Sequence, residues 1–373
     1  MWNRGTWRAA AEVALVFLLL GLIAFGGPAA HVALMRRELV VRRKWLGEVE
    51  FLRLFAACNL IPGPSSTELA IYLSYRRAGW RGLVLGGVAF ILPAMLIMFI
   101  IAGAYQRYGT SAQALGILYG IRAALVGIVV WAIVDLGRRL LRNWTLATLA
   151  AAVAGLFLIG ASPVLLIVAG GLIVSAAAHD QLKPRVGIVM ATSGPLPIWS
   201  GGQLLTIFLT FLKVGLVSFG SGYVLYAFLH ADLVQGLHWL TDRQLIDAIA
   251  IGQATPGPVF TTATFLGYLF AGVPGGLVAT IAIFLPGFFL VPMLDGIVRL
   301  TERRAWAHGF VDGANAAALG LMVAVTLEIG RSAWIDPLAV AMGLVALGII
   351  WKWPLASPLV VLAAAAVGVI HLT

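Results

Sequence analysis

Residues 59–68 read N-L-I-P-G-P-S-S-T-E and lie inside a strongly apolar chain. The core of this stretch returns at residues 253–262 as Q-A-T-P-G-P-V-F-T-T, at an offset of 194 residues. Proline has no N–H donor, and its ring clashes with the preceding helical turn, so Pro-Gly-Pro ends a helix. The sequence therefore predicts the same helix break at two places in one chain.

The composition of the 373 residues is that of an integral membrane protein. Hydrophobic residues make up 61% of the chain and charged residues 11%, and the mean hydropathy is +0.99. This is more apolar material than a soluble core of this size could bury. Residues 82–105 form one apolar run that is long enough to cross the hydrocarbon core. The net charge of +10 indicates membrane topology rather than nucleic-acid binding, because cytoplasmic loops collect Lys and Arg.

The N-terminal segment has two interpretations. Its basic start and apolar continuation are typical of a secretory signal peptide. The same kind of segment, ending in F-G-S-G at residues 219–222, recurs in the middle of the chain, where no signal peptide can act. Residues 10–34 are therefore interpreted as one retained transmembrane helix.

The repeat extends far beyond the opening motif. The offset is 194 in the first part of the alignment and 193 after a one-residue deletion near Ala271. The chain is therefore divided into a first membrane repeat (1–180), a linker with polar residues and prolines (181–197) and a second membrane repeat (198–373). Examples of aligned pairs are Phe25-Gly26 with Phe219-Gly220, Trp45-Leu46 with Trp239-Leu240, Leu92-Pro93 with Leu285-Pro286, and Gly137-Arg138 with Gly330-Arg331.

The apolar stretches on either side of the first P-G-P, residues 51–61 and 65–75, are too short to span a membrane. At about 1.5 Å per residue, each covers roughly half of the bilayer. Either they form one broken spanning helix, or they form a re-entrant hairpin that returns to the face where it began. Basic residues flank the pair on both sides, which favours the hairpin with both flanks in the cytoplasm. These residues are Arg36, Arg37, Arg42, Arg43 and Lys44 before the pair and Arg76, Arg77 and Arg81 after it.

The predicted fold is an all-α polytopic membrane protein with two inverted-topology repeats. Each repeat is expected to contain about five spanning helices and a re-entrant helical hairpin with a P-G-P tip. An odd number of spanning helices makes the second repeat run upside down, and it places the N- and C-termini outside. Inverted repeats of this kind are typical of secondary transporters, whose substrate site lies at the membrane midplane.

The two P-G-P tips are expected to form an anion site. A helix N-terminus carries about half a positive charge and free N–H groups, so two tips that meet from opposite faces would hold an anion. The alternative is that P-G-P is only a tight turn between packed helices. The expected substrate-binding residues are Phe25, Gly26, Gly27, Asn59, Pro62, Gly63, Pro64, Ser65, Ser66 and Thr67 in the first repeat, and Phe219, Gly220, Ser221, Gly222, Gln253, Pro256, Gly257, Pro258, Thr261 and Thr262 in the second.

Two basic residues lie inside predicted membrane helices, where charges are rare and usually functional. Arg122 would attract an anion toward the tips. Its alternative role is a structural ion pair with Asp135 or Glu328. Lys213 would also attract an anion, or it would extend its amine toward the inner face.

His31 and Glu68 are the candidate proton carriers, although a packed and hydrogen-bonded histidine is the alternative for His31. No metal site and no cofactor are expected, because the chain has one cysteine, Cys58, six scattered histidines, no H-E-x-x-H motif and no nucleotide-binding P-loop. A membrane enzyme acting on lipid is the alternative from another functional class, and these absences disfavour it.

The ordered motifs resemble the chromate ion transporter family in its long form, with both halves on one chain. The resemblance implies export of chromate across the cytoplasmic (inner) membrane and chromate resistance, with sulfate as the structural analogue. The first tip is followed by S-S-T-E and the second by V-F-T-T, so the implied site is asymmetric. The matching motifs are F-G-G-P-A-A-H, R-K-W-L, N-L-I-P-G-P-S-S-T-E-L-A, G-W-R-G and F-I-L-P-A, then F-G-S-G-Y, A-I-G-Q-A-T-P-G-P-V-F-T-T-A-T-F-L-G-Y and I-F-L-P-G-F.

The membrane potential favours export. With a negative cell interior, moving a dianion outward gains about 2.3 kcal/mol per charge per 100 mV, or roughly 4 to 5 kcal/mol. Uptake would need co-transported cations, and the sequence has few carboxylates in its apolar segments to carry them. An uptake permease or exchanger for sulfate or another small anion is the alternative function. The expected partners are a small inorganic oxyanion and the lipid bilayer, without nucleic acid, and a homodimer is left open.

Overall fold

The computed structural model describes residues 7–25, 27–178, 202–219, 224–353 and 356–372. These residues form α-helices and no β-strand, which confirms the prediction of an all-α protein. The predicted linker 181–197 lies outside the described residues. The first repeat contains α1 (Trp7–Ile23), α2 (Gly27–Met35), α3 (Glu48–Cys58), α4 (Ser65–Tyr108), α5 (Ala112–Leu140), α6 (Trp144–Leu158) and α7 (Pro163–Ala177). The second contains α8 (Gln203–Val217), α9 (Leu225–Leu229), α10 (Asp242–Ala254), α11 (Thr262–Leu290), α12 (Leu294–Arg303), α13 (Ala305–Ala333), α14 (Pro337–Lys352) and α15 (Ser357–Leu372).

Unusual backbone conformations recur at equivalent positions of the two repeats. A π-helical turn follows α2 at Arg36–Arg42, and another follows α9 at His230–Gly236. α4 is kinked at Gly79 (φ 62°, ψ −149°), and α11 is kinked at Gly272 (φ 60°, ψ −150°). Only glycine adopts this region without strain. The two halves therefore share their backbone geometry as well as their motifs.

Four helical segments of the described chain are long and apolar enough to cross a membrane: Ser65–Tyr108, Ala112–Leu140, Val259–Arg303 and Ala305–Ala333. The protein is therefore a multi-pass membrane protein. The predicted five spanning helices per repeat do not correspond to these four segments. The remaining apolar helices α6, α7, α8, α14 and α15 have 15 or 16 residues, and at 1.5 Å per residue they reach only about 22 to 24 Å.

The prediction of one helix over residues 10–34 is wrong, because the chain breaks between α1 and α2. α1 ends at Ile23, and α2 begins at Gly27 with a positive φ of 76°. A side chain in this backbone conformation would be strained, which is why a glycine stands here. The hydropathy of the segment stays high across the break, so hydropathy gave no sign of it.

α1 begins at what we call the arginine end of the molecule, defined by Arg43, Arg77 and Arg81. The Arg81 guanidinium lies 4.4 Å from the centre of the Trp7 ring. The Glu12 carboxylate lies 3.1 Å from Arg77 and 3.6 Å from Arg43. The chain thus leaves this end along α1 and has returned to it by Arg43. The start of α1 and the arginine-rich loop therefore lie at the same end of the molecule, whereas a single spanning helix over residues 10–34 would separate them.

α8 begins at the other end of the molecule, which we call the opposite end and define by Gln106, Gln203 and Phe270. Gln203 Nε2 donates a hydrogen bond of 3.0 Å to the carbonyl oxygen of Phe270. Gln106, near the end of α4, donates to the carbonyl oxygen of Leu269. Because the long limb of α4 begins near Arg81 and ends near Gln106, α1 and α8 start at different ends of the molecule.

The two repeats exchange helix pairs. α6 and α7 pack on α13 of the second repeat, and α14 and α15 pack on α5 of the first. Glycines allow this close approach: a Cβ on Gly120 would lie 1.8 Å from the carbonyl oxygen of Ala364, and one on Gly313 would lie 2.2 Å from that of Gly170. Small residues let membrane helices pack backbone to backbone. Each repeat therefore depends on the other for its packing.

Replacing Gly120 by Ala is expected to lower the midpoint temperature of unfolding in detergent. The new Cβ would meet the backbone of α15, and overpacking of this kind costs about 1 to 3 kcal/mol. Gly155→Ala on α6 is the matched control, because a Cβ there meets no atom within 4 Å, and it should leave the midpoint unchanged or slightly higher. Equal midpoints for both variants would contradict the exchanged packing.

Candidate functional site

The two P-G-P tips and the chain breaks after α1 and α8 meet inside the molecule. Two equivalent hydrogen bonds join them. The N–H of Gly63, in the first tip (residues 62–64), donates to the carbonyl oxygen of Ser218 at the end of α8 (2.6 Å). The N–H of Gly257, in the second tip (residues 256–258), donates to the carbonyl oxygen of Ala24 after α1 (2.8 Å). The two bonds are related by the repeat offset of 194. Each P-G-P tip is therefore bonded to the helix break of the other repeat.

This meeting point lies about halfway between the two ends of the molecule. A Cβ on Gly21, near the end of α1, would lie 2.5 Å from the carbonyl oxygen of Phe90, and a Cβ on Gly257 would lie 2.6 Å from the Cβ of Ala94. Phe90 and Ala94 occupy the middle of the long limb of α4, which runs from the kink at Gly79 to Tyr108. The second tip and the break after α1 thus lie at mid-depth of a membrane-spanning helix.

The start of α4 presents unused hydrogen-bond donors. Pro64 is the N-cap residue, with an extended backbone and no side-chain cap. The N–H groups of Thr67 and Glu68 bond the carbonyl oxygen of Pro64, whereas those of Ser65 and Ser66 have no acceptor among the described residues. Unsatisfied amides at a helix N-terminus attract anions.

The first tip also carries hydroxyl groups. The hydroxyl of Thr67 is buried and has no hydrogen-bond partner among the described residues. Ser66 Oγ lies 3.1 Å from His31 Nδ1, and His31 Nε2 lies 3.1 Å from the carbonyl oxygen of Ala24. A carbonyl can only accept, so Nε2 carries the proton and Nδ1 accepts from Ser66. His31 thus has partners on both sides, and it holds the start of α4 against the break after α1.

The hydroxyls of the second tip are used differently, because a 3₁₀ turn (Val259–Thr261) precedes α11. Thr261 Oγ1 donates to the carbonyl oxygen of Pro258 (2.7 Å), and Thr262 Oγ1 donates to that of Val259 (2.8 Å). Their protons serve the local turn, so in this conformation neither hydroxyl is free to donate to an anion, although both residues are expected to bind the substrate. The amide nitrogen of Gln253, at the end of α10, is buried and has no partner among the described residues.

The other predicted site residues fall into three groups. Asn59 bonds the carbonyl oxygen of Phe55 and so completes the end of α3. Gly27 is buried, and a Cβ on it would lie 3.9 Å from Gln253 Oε1, whereas Phe25 is exposed. Gly26, Gly220, Ser221 and Gly222 lie outside the described residues.

Arg122 is paired with neither Asp135 nor Glu328. Its Nε donates to the buried carboxylate of Asp247 on α10. The prediction of the partner failed because Asp247 lies 125 residues away in sequence, and only packing brings α5 and α10 together. Asp247 itself could have been found by the rule that selected Arg122, since it is also a charged residue within an apolar segment. Tyr105 OH donates to the second oxygen of Asp247 (2.8 Å), which completes a network that joins α4, α5 and α10.

Lys213 forms an ion pair within the second repeat. Its amine lies 2.5 Å from the carboxylate of Asp232, in the π-helical turn after α9. This pair ties α8 to the segment that follows it. The charge of Lys213 is therefore engaged by an acid of the same repeat in this conformation.

The central glycines of the tips, Gly63 and Gly257, are buried, whereas Pro62 and Pro64 of the first tip are half-buried. A cleft of about 360 Å³ opens at the opposite end between Tyr105, Trp239, Gln244 and Phe270. This cleft leads toward the network of Arg122, Asp247 and Tyr105, because Tyr105 belongs to both the cleft and the network. An apolar groove of about 230 Å³ lies between α4 and α11. Within the described ranges, no group of three or more His, Cys, Asp or Glu side chains could hold a metal ion.

Comparison with known proteins finds one family and several full-length relatives. The family model for chromate transporters matches the chain twice, at residues 11–175 and 205–369. The chromate transport protein of Cupriavidus metallidurans is 33% identical, over 96% of this chain and 92% of its own. The probable chromate transport protein of Synechococcus elongatus is also 33% identical, over 95% and 93%.

A third relative is the chromate transport protein of Pseudomonas aeruginosa, which is 31% identical over 94% of this chain and 90% of its own. No solved structure matches the chain. The two family matches correspond to the two repeats deduced from the P-G-P motifs. The chain belongs to the chromate transporter family.

Proposed function

We propose that this protein is a secondary transporter that exports chromate across the cytoplasmic membrane and binds the oxyanion between its two P-G-P tips. The observation that carries the proposal is the reciprocal bonding of the tips, which brings helix breaks of both repeats together beside unused donors of α4. Family membership and the names of the relatives support chromate as the substrate. Sulfate, another tetrahedral dianion, is expected to compete.

The donors for the oxyanion would come mainly from the first tip. The amides of Ser65 and Ser66 and the hydroxyl of Thr67 are on the first turn of α4, where the helix dipole also favours negative charge. From the second repeat, the amide of Gln253 would complete the site. The remaining tip residues, from residues 25–27, 59–64, 219–222 and 256–262, would shape the cavity rather than donate to the anion.

We further propose that the repeats, residues 1–180 and 198–373, have inverted membrane topology. This proposal does not rest on a count of spanning helices, because the chain breaks between α1 and α2. Support comes instead from the contacts of α1 with Arg77 and Arg81 at the arginine end and of α8 with Phe270 at the opposite end. Basic loops favour the cytoplasm, so the arginine end, including the start of α1, would face inward. His371 near the C-terminus stacks on Tyr119 of α5, so the C-terminus would face outward.

Alternating access would then move the short helices that flank each tip against the long limbs of α4 and α11. These short helices are α3 with the start of α4, and α10 with the start of α11. The kinks at Gly79 and Gly272 separate these parts at equivalent places in the two repeats, which suits hinge motion. A conformation in which Gly63 and Gly257 are both buried would correspond to an occluded state of such a cycle.

The test is the flux of labelled chromate in proteoliposomes under membrane potentials of either sign, with unlabelled sulfate as competitor. Saturable flux that follows the potential and falls with sulfate is expected. Flux that proceeds only against the potential with a co-ion gradient would instead support an uptake permease or exchanger. Absence of flux for both anions under every gradient would remove the proposed function.

Thr67→Val is expected to lower the chromate flux about 10- to 100-fold, because a hydrogen bond to a charged group contributes about 1.5 to 3 kcal/mol. The change removes a buried hydroxyl and keeps the shape of the side chain. Thr148→Val is the matched control, since Thr148 is exposed on α6 and far from the tips in sequence. Flux is measured per unit of folded protein, and an unchanged flux for Thr67→Val would exclude this hydroxyl from the site.

A further inference from the structure

Glu68 is a buried acid that, among the described residues, lacks the kind of partners that the acids Asp247 and Asp232 have. Its side chain is 1% exposed, and neither carboxyl oxygen has a hydrogen-bond partner within the described part of the chain. By contrast, Asp247 is held by Arg122 and Tyr105, and Asp232 is held by Lys213. A carboxylate that is buried without a cation or donors is strongly disfavoured relative to the neutral acid.

The carboxyl group of Glu68 lies at the first tip. It folds back over Gly63, because a Cβ on that glycine would lie 2.1 Å from Glu68 Oε1. On its other side is α11, where a Cβ on Gly287 would lie 3.6 Å from Glu68 Cγ. The group therefore sits between the first tip and a spanning helix of the second repeat, within one helical turn of the unused donors of Ser66 and Thr67.

The titratable groups around Glu68 are few. Cys58 at the end of α3 lies close enough to sense its charge. His31 approaches from α2, but both of its ring nitrogens are engaged. Tyr72, one turn further along α4, donates to Asp295, and α11 contributes Gly287 at the point of contact. None of these supplies a positive charge to an ionised Glu68.

We propose that Glu68 is a proton-binding site that is occupied together with the oxyanion, so that one proton travels with each dianion in the same direction. This inference rests on the proposed function. An ionised Glu68 would repel a dianion at the tip and would compete with it for the amides of α4. A protonated Glu68 removes this repulsion and offers one O–H donor to an oxyanion oxygen. Release of the anion and loss of the proton would then favour each other.

The first measurement needs no variant. Binding of sulfate to the purified protein is measured by calorimetry from about pH 6 to about pH 10 in buffers of different ionisation enthalpy, which reports the protons taken up with the anion. Proton uptake is expected to rise from near zero at low pH, where Glu68 of the free protein is already neutral, to about one proton per sulfate at high pH, where the free protein has lost this proton. Sulfate binding that involves no proton uptake at any pH and keeps its affinity as pH rises would overturn the proposal, whereas absence of any sulfate or chromate binding would count against the proposed function itself.

The second measurement compares Glu68→Gln with the wild type in proteoliposomes that contain a trapped pH indicator. Gln imitates the neutral acid, so Glu68→Gln should keep labelled-anion flux and lose the accompanying proton movement. Its flux should also become independent of pH, whereas the wild-type flux should fall as pH rises and Glu68 loses its proton. Glu302→Gln, at an exposed acid of α12, should retain both proton movement and pH dependence. A Glu68→Gln variant that moves protons with the anion as the wild type does would falsify the assignment.

Discussion

Replacing Arg122 by Ala is expected to destabilise the protein by about 3 to 5 kcal/mol, because it leaves the buried carboxylate of Asp247 without its cation. The Arg122 side chain is only 13% exposed, and that of Asp247 is 2% exposed. The hydrogen bond from Tyr105 remains in the variant, but a neutral donor cannot replace the guanidinium charge. A large fall in the midpoint temperature of unfolding in detergent is the measurable result.

Two further variants separate stability from transport. Arg139→Ala is the control, since Arg139 pairs with Asp135 on the exposed surface of α5, and such pairs contribute at most about 1 kcal/mol. The double variant Arg122→Ala with Asp247→Ala removes both buried charges and should recover much of the lost stability. If it also recovers chromate flux, Arg122 is structural. If the protein folds and the flux stays low, the guanidinium acts on the anion.

The prediction with the next largest effect is Gly257→Ala. Gly257 has a φ of 91°, and a Cβ on it would lie 2.6 Å from the Cβ of Ala94 on α4. The positive φ costs about 1 to 2 kcal/mol for a non-glycine residue, and the overpacking costs about 1 to 3 kcal/mol more. The second tip should therefore move away from Ala24 and lose its bond there, with a lower unfolding midpoint and strongly reduced flux.

Two glycines provide the comparison for Gly257. Gly160, between α6 and α7, has a similar φ of 97°, and a Cβ on it meets no atom within 4 Å, so Gly160→Ala should show the backbone cost alone. Gly63 has a φ of 130°, and a Cβ on it would meet the movable end of Glu68 rather than backbone atoms, so Gly63→Ala should show the backbone cost with less overpacking than Gly257→Ala. Equal destabilisation by Gly160→Ala and Gly257→Ala would show that contact between the second tip and α4 is unimportant.

Several features could be predicted from the sequence because they depend on local chemistry. Proline chemistry predicts the ends of the helices near residues 62–64 and 256–258, and the structure ends α3 at Cys58 and α10 at Ala254. Hydropathy predicts membrane helices, and the repeated motifs predict two related halves. By contrast, hydropathy did not reveal the break between Ile23 and Gly27, since neither neighbouring segment becomes polar there.

The partners of the candidate residues could not be predicted. Arg122 and Asp247 are brought together by the packing of α5 and α10, and no local pattern relates them. Thr261 and Thr262 are expected substrate-binding residues, but the 3₁₀ turn at the start of α11 gives their hydroxyls local acceptors. Whether a polar side chain is free or bonded depends on such geometry rather than on residue type.

The sequence by itself determined the membrane class, the two repeats, the position of the P-G-P breaks and the resemblance to one family, because each of these is written in composition or in short-range pattern. Only the tertiary structure decided that the chain turns back after α1, that each tip bonds the other repeat, that the repeats exchange helix pairs, and that Glu68 has no hydrogen-bond partner in the described part of the chain. All four depend on which backbones can approach each other across more than a hundred residues. That approach is controlled by glycine contacts and buried polar pairs, which no single segment encodes.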